Sequence, residues 1–156
     1  MPLAVFKLND LISEHPDSEV STQARFVLAE LYTRMGGEDN LQKALEQATT
    51  LYEENGIDSR AGFSGFSMMI DLKLGMDQYS QALDQVREAL DQMPEDSQLR
   101  TRLRIMHASL LLNGEEEELR QQGVAKFEEM MMESEKPELR GQARELLANY
   151  YRRQEM

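Results

Sequence analysis

Two histidines, His15 and His107, are the only imidazoles in the chain, and there is no cysteine. His15 stands in a turn beside Pro16, and His107 stands on a helix with no second His, Cys or carboxylate at ligand spacing. A zinc site needs three or four such ligands, so both histidines are read as structural. Ser64 and Ser67 lack the glycine elbow that exposes a nucleophilic serine, and no histidine is near them in sequence. No phosphate-binding loop or dinucleotide fingerprint occurs. Glu115 to Glu118 could ligate a cation, but the alternating Asp/Asn pattern with a central glycine is missing, and four acids suit the positive start of a helix. Met68-Met69 and Met130 to Met132 resemble the adaptable methionine surfaces of promiscuous binders. Met69, Met130 and Met131, however, fall on apolar stripes and are assigned to the core, which leaves Met68 and Met132 unexplained. No residue is a candidate for catalysis, no metal or cofactor is implied, and the chain is expected not to be an enzyme.

The charge balance points away from polyanions. With 17 Lys and Arg against 29 Asp and Glu, the 156-residue chain carries a formal charge of −12, whereas phosphate backbones require a basic footprint. No nucleic acid is expected as partner. Membrane insertion is not expected either, since no apolar run approaches the roughly 20 residues that span a bilayer. Met1 to Leu8 carries one lysine and no small-residue cleavage site, unlike a signal peptide. Cytoplasm is favoured, with periplasm open if this is a fragment lacking its signal segment.

The elements that must position any site are helices, because Ala, Leu, Glu, Gln, Arg and Met dominate. Ala4, Val5, Leu8, Leu11 and Ile12 form one helical stripe in a first helix, Leu3 to Glu14. His15-Pro16 breaks it, and Asp17 or Ser18 caps a second helix from about Glu19 to Met35, with Ala24, Val27, Leu28, Leu31 and Tyr32 inward. Gly36-Gly37 ends that helix. Asp39 or Asn40 caps a third, carrying Leu41, Ala44, Leu45, Ala48, Leu51 and Tyr52. Asn55-Gly56 and a cap at Asp58 or Ser59 introduce a fourth, about Ser59 to Leu74, with Phe63, Phe66, Met69, Ile70 and Leu74 inward. Its Gly62 and Gly65 each lower helix propensity by about 1 kcal/mol relative to alanine. Gly75 closes it. Three more helices follow, at about Gln78 to Met93, Gln98 to Leu112 and Glu115 to Glu133. A break at Lys136-Pro137-Glu138 precedes an eighth, Leu139 to Arg153.

These helices repeat. Gln23 to Tyr32, Q-A-R-F-V-L-A-E-L-Y, returns as Q-A-R-E-L-L-A-N-Y-Y from Gln142 to Tyr151. Gly36, Gly75 and Gly114 stand at intervals of 39 (36 to 75, 75 to 114). Self-similarity at such a period predicts a solenoid, because one helical hairpin cannot bury its own apolar face. The expected architecture is all-α, an alpha-alpha superhelix of antiparallel helical hairpins with about eight helices. It is read as a single domain over 1–156: a half-unit at 2–15, hairpins at about 17–55, 58–93 and 97–134, and a terminal helix at 138–153.

The pattern resembles the tetratricopeptide repeat family, whose unit reads W-x2-L-G-x2-Y, then A-x3-F, then P. Its first half appears as Arg25-x2-Leu28-Ala29-x2-Tyr32 and as Arg144-x2-Leu147-Ala148-x2-Tyr151. Its second half appears as Ala82-x3-Val86 before Pro94, and more weakly as Ala44-x3-Ala48. Small residues at Ala29, Ala44, Ala82 and Ala148 would let helix backbones approach. The pattern departs in its period of about 39 rather than 34, in the helix around Phe66, and at His107, which occupies a small-residue position. Another α-solenoid with a longer unit, such as HEAT-like repeats, is the neighbouring alternative.

The resemblance implies a noncovalent protein-protein interaction module, a scaffold, adaptor or co-chaperone holding a partner peptide or helix in a concave groove lined by the first helix of each hairpin. Positions equivalent, by the register of Gln23 to Tyr32, to those that leave the packing stripe are the candidate groove: Phe26, Glu30, Arg34, Phe66, Met69, Leu72, Lys73, Arg104 and Ala108, of which Phe66 and Met69 also fall on an inward stripe. Apolar Phe26 and Leu72 between basic Arg34, Lys73 and Arg104 would suit an acidic or C-terminal peptide segment. Two alternatives belong to other classes. One is a regulatory domain of a larger protein that senses a peptide or small ligand. The other is a self-assembling module that associates through its terminal helices, which Leu3 and Phe6, off the main stripe of the first helix, would favour.

Overall fold

The computed structural model describes residues 2–133 and 137–155. The described residues form eight α-helices and no strand: α1 (Pro2–Glu14), α2 (Glu19–Met35), α3 (Glu38–Asn55), α4 (Arg60–Gly75), α5 (Tyr79–Gln92), α6 (Arg100–Leu112), α7 (Glu117–Glu133) and α8 (Pro137–Gln154). Within the compact units of the chain, consecutive helices pack as antiparallel hairpins, α1 on α2, α2 on α3, α3 on α4, then α6 on α7 and α7 on α8, the all-α helical-repeat arrangement expected from the periodicity. The chain divides into two compact units, residues 1–82 and 83–156. Of the expected break before α8, Lys136 lies outside the described residues.

Helix boundaries follow local chemistry. Of the alternatives at the starts of α2 and α4, the serines cap: Ser18 Oγ accepts from Ser21 N and Ser59 Oγ accepts from Gly62 N. At α3 the expected caps Asp39 and Asn40 lie inside the first turn instead. Gly36 and Gly37 both take positive φ, 66° and 80°, a conformation glycine adopts without steric cost. The chain therefore reverses within these two residues, and Asn40 Nδ2 donates back to Gly36 O at 2.8 Å.

The periodic glycines are not equivalent. Gly36 is left-handed, but α4 runs through Gly75 and its left-handed residue is Asp77, φ 58°. Gln78 N donates to Lys73 O and Asp77 N to Leu74 O, the paired bonds of a Schellman exit. Asp tolerates this region because its short polar side chain can bond locally. α5 leaves by a third route: Arg100 Nη1 donates to Leu90 O at 3.0 Å and to Met93 O at 2.6 Å. α6 consequently begins at Arg100 rather than Gln98. The acidic run also enters its helix late, because α7 starts at Glu117 and only Glu117 and Glu118 lie in the first turn. Arg120 reaches back to Gly114 O and Glu115 O and pairs with Glu117, which holds the Glu117 carboxyl below its ordinary pKa.

In the unit of residues 1–82, where α3 packs on both α2 and α4, the buried residues are Ala24, Leu28 and Ala29 of α2, Ala44, Ala48 and Leu51 of α3, and Phe63, Phe66, Met69 and Ile70 of α4. Full burial of a side chain such as Phe66 contributes about 1.5–3 kcal/mol. Gly62 and Gly65, which look unfavourable as helix formers, are explained by proximity. A Cβ on Gly65 would lie 2.8 Å from Ala48 O, and one on Gly62 would overlap Gly56 O. Arg25 ties the α2–α3 hairpin through Glu54 and Gln47. α1 packs on α2 with no buried residue; Val5, Leu8, Leu11 and Ile12 are half-buried, and Ala4, expected on the stripe, is exposed.

In the unit of residues 83–156, Ala108, Leu112, Phe127, Met130, Ala143 and Leu147 form the core of α6, α7 and α8. The close approach of α6 and α7 is at Ala108 and Gly123, where a Cβ on Gly123 would lie 3.0 Å from Ala108 O. The small-residue contact thus moves one position along α6, which frees position 107 for histidine. The Q-A-R echo also diverges. Ala24 and Leu28, like Ala143 and Leu147, are buried, but Ala29 is buried where Ala148 is exposed. Ala29 lies in the α2–α3 hairpin, where Lys43 of α3 sits over the Tyr32 ring.

Candidate functional site

In the unit of residues 1–82, one groove is built by three helices. On α2, Glu30, Thr33 and Arg34 share a face because they lie three and four residues apart. On α4, Met68, Asp71, Leu72 and Gly75 share a face by the same rule. With Leu41 of α3, these residues line a cavity of about 370 Å³. Leu41, Met68 and Leu72 supply apolar floor. Arg34, Glu30 and Asp71 supply charge at the rim, and the absent side chain at Gly75 leaves open space. Thr33 Oγ1 donates to Ala29 O at 2.8 Å, which fixes its methyl and hydroxyl relative to the helix. Asp71 is exposed as a residue, yet partial desolvation of its carboxyl raises its pKa above the ordinary value.

Of the residues singled out in the sequence, Glu30, Arg34 and Leu72 come together here. Phe26 lies one turn earlier on α2, at the surface but outside the groove lining. Lys73 points elsewhere and donates to Gln81 Oε1 at 3.3 Å. Phe66 and Met69 are core residues, 1% and 3% exposed, because α4 turns that face toward its neighbours. Ala108 is fully buried in the other unit, where a small residue is required opposite Gly123. Arg104 also belongs to that unit and lines a different cavity. Leu41, Met68, Asp71 and Gly75 were missed as groove residues. The spacing 68, 71, 72, 75 was the available signal, and Met68 had no place on the packing stripe.

The unit of residues 83–156 holds a larger cavity of about 560 Å³, lined by Arg87, Leu90 and Asp91 of α5, Arg100, Arg104 and His107 of α6, and Lys126 and Glu129 of α7. A smaller one of about 190 Å³ lies between α6 and α8, beside Asn113, Asn149 and Tyr150.

Comparison with family models, curated proteins and solved structures gave no match. The functional reading therefore rests on the helical-repeat packing and on these grooves. Among the described residues, no helix is long and apolar enough to cross a membrane, and no three His, Asp or Glu side chains are grouped to hold a metal ion.

Proposed function

We propose that the chain is a noncovalent protein-binding module of the tetratricopeptide-repeat type, acting without catalysis, whose α2–α3–α4 groove anchors a segment of a partner polypeptide. The observation that carries this reading is the composition of the groove: three apolar side chains at the base, charged residues of both signs at the rim, all on rigid helices. A pocket of this size takes one large apolar anchor, and burying one contributes about 1.5–3 kcal/mol. Micromolar affinity corresponds to about 8 kcal/mol, so the partner must also run along the exposed faces of α2 and α4. Arg34 and the two carboxylates would orient it rather than supply most of the energy.

Selection of binders from a random peptide library displayed on phage tests the reading. Enriched peptides should share a large apolar residue with charged neighbours that match Arg34 on one side and Glu30 and Asp71 on the other, and Met68→Glu should weaken them at least tenfold while leaving the helical circular dichroism unchanged. Binding that ignores Met68→Glu would place the peptide elsewhere and refute the groove. A second reading, self-association, is favoured by α1, where Leu3 and Phe6 are 65% and 62% exposed. Sedimentation velocity should then show dimers that Leu3→Glu with Phe6→Glu abolishes.

A further inference from the structure

The groove of the first unit has a counterpart in the second. The cavity of about 190 Å³ between α6 and α8 occupies the place in its unit that the α2–α4 groove occupies in the other. Glu30, Thr33 and Arg34 of α2 are matched by Ser109, Leu112 and Asn113 of α6, each 79 residues on (30 to 109), close to twice the 39-residue interval of the glycines. Met68, Asp71 and Leu72 of α4 are matched by Leu146, Asn149 and Tyr150 of α8, each 78 residues on (68 to 146). Gly75 is matched by Arg153 in the same way, so every α2 and α4 residue of the first lining has its equivalent in the second. The supporting frames agree as well. Arg25 and Arg104, again 79 apart (25 to 104), each tie their helix to the next, Arg25 to Glu54 at 3.4 Å and Arg104 to Glu129 at 3.7 Å. Ala44 of α3 and Gly123 of α7, at the same interval, are both buried small residues.

The chemistry changes at the matched positions. Where the first groove has Glu30, Arg34 and Asp71, the second has Ser109, Asn113 and Asn149, so three charges become three uncharged hydrogen-bonding side chains. Leu146 and Tyr150 replace Met68 and Leu72 and, with Leu112 in place of Thr33, keep an apolar base. Leu41 is matched by Arg120 (41 to 120), which bonds to Gly114 O and Glu115 O and stays out of the lining. Arg153 stands where Gly75 leaves open space, and the volume falls from about 370 to about 190 Å³. The two amides are each half used. Asn113 Nδ2 donates to Ser109 O at 2.8 Å, and Asn149 Oδ1 accepts from Arg152 Nη2 at 2.6 Å. What remains is complementary, an acceptor at Asn113 Oδ1 and a donor at Asn149 Nδ2. That pair matches an amide, which carries N–H and C=O together. Among the described residues only Arg153 brings charge to this lining, and it is exposed, where an ion pair contributes little.

We infer that the α6–α8 groove is a second polypeptide-binding site, of different specificity, which takes an uncharged segment: a small apolar side chain against Leu112, Leu146 and Tyr150, beside an amide that pairs with Asn113 and Asn149. The inference rests on the reading of the chain as a protein-binding module and adds a second site to it. An anchor the size of Val or Leu suits the smaller volume, whereas the larger groove takes the larger side chain. Salt separates the two sites. Ion pairs at the exposed rim of the first groove are screened by added electrolyte, and hydrogen bonds between neutral amides are not.

Selection from the displayed peptide library on the whole Met68→Glu chain, whose first groove is blocked by a charge, tests this. Peptides should still enrich, with Val or Leu beside Asn, Gln, Ser or Thr in place of charged flanks. Isothermal titration of synthetic copies should show affinity that changes less than twofold between about 50 and 500 mM NaCl. Asn149→Asp keeps the shape but replaces the donor by an acceptor, and should weaken these peptides at least fivefold. Asn113→Ala removes the acceptor and should act in the same direction, whereas Lys7→Gln on α1 should change nothing. Asn113 is exposed and Asn149 half-buried, so both variants should keep the helical circular dichroism of wild type. No enrichment on the Met68→Glu chain, or enrichment only of charged, salt-sensitive peptides, overturns the second site and leaves the first standing. Affinity unchanged in both Asn variants overturns it equally. Charged peptides that ignore Met68→Glu overturn the first groove instead.

Discussion

Gly123 and Gly141 lie in helices of the same unit but in opposite surroundings, which makes them a matched test of the packing argument. Replacing a helical glycine by alanine gains about 1 kcal/mol from propensity alone. At Gly141 a Cβ would meet nothing within 4 Å, so Gly141→Ala should realise that gain. At Gly123 the same Cβ would lie 2.8 Å from Leu112 N, 3.0 Å from Ala108 O and 3.1 Å from Leu111 Cβ. Two of these atoms are backbone, so α6 and α7 must move apart, and overpacking of this kind costs about 1–3 kcal/mol. Propensity cancels between the two variants, and their difference isolates the packing cost. Gly123→Ala should therefore fall about 1–3 kcal/mol below Gly141→Ala in urea denaturation followed by circular dichroism. For a unit of this size, each kcal/mol moves the melting temperature by roughly 4–8 °C. Equal stabilisation by the two variants would refute the reading that α6 and α7 meet through Ala108 and Gly123.

Other expectations follow from single residues. His107 has its pKa lowered from 6.5 to about 4, so the unfolded chain binds more protons between those values. Its contribution is complete above pH 6.5 and is lost as pH falls toward 4, a change on the order of 2–3 kcal/mol. Urea midpoints measured at pH 7 and pH 5 should converge in His107→Gln relative to wild type, and a parallel loss in both would contradict this. Ser18→Ala should cost about 1 kcal/mol through loss of the α2 cap, whereas Asp17→Ala should stay within about 0.5 kcal/mol. Thermal melts of the two variants distinguish which residue caps.

The helical class, the hairpin pairing and most core positions were legible because burial imposes a period on the sequence: Leu28, Leu51, Phe66, Phe127 and Leu147 all lie where apolar spacing puts them. Conformation at the turns was less legible. Gly36 and Gly75 share a place in the repeat, but the left-handed residue after α4 is Asp77, since hydrogen-bond closure rather than residue type decides where a helix exits. Closeness was hidden as well. Gly65 reads as a weak helix former until the backbone of α3 is seen beside it. The groove was half visible, because Glu30, Arg34 and Leu72 follow from helix faces. Leu41 could not be found that way, since it comes from a different helix and its stripe position suggested core. His107 was read as a departure from the repeat, and its charged surroundings required residues from α5, α6 and α7 to be placed together.

The shallow seating of α1 bears on the time course of opening. A 13-residue helix is marginal by itself in water, and this one buries no residue fully. Little free energy separates its docked and undocked forms compared with α3 or α4, whose alanines and aromatics are sealed. Amide protons of α1 should consequently exchange with solvent at low protection while those of α4 wait for unfolding of the whole unit. The repeat scaffold thus has a graded hierarchy of release, with its first helix the earliest to leave.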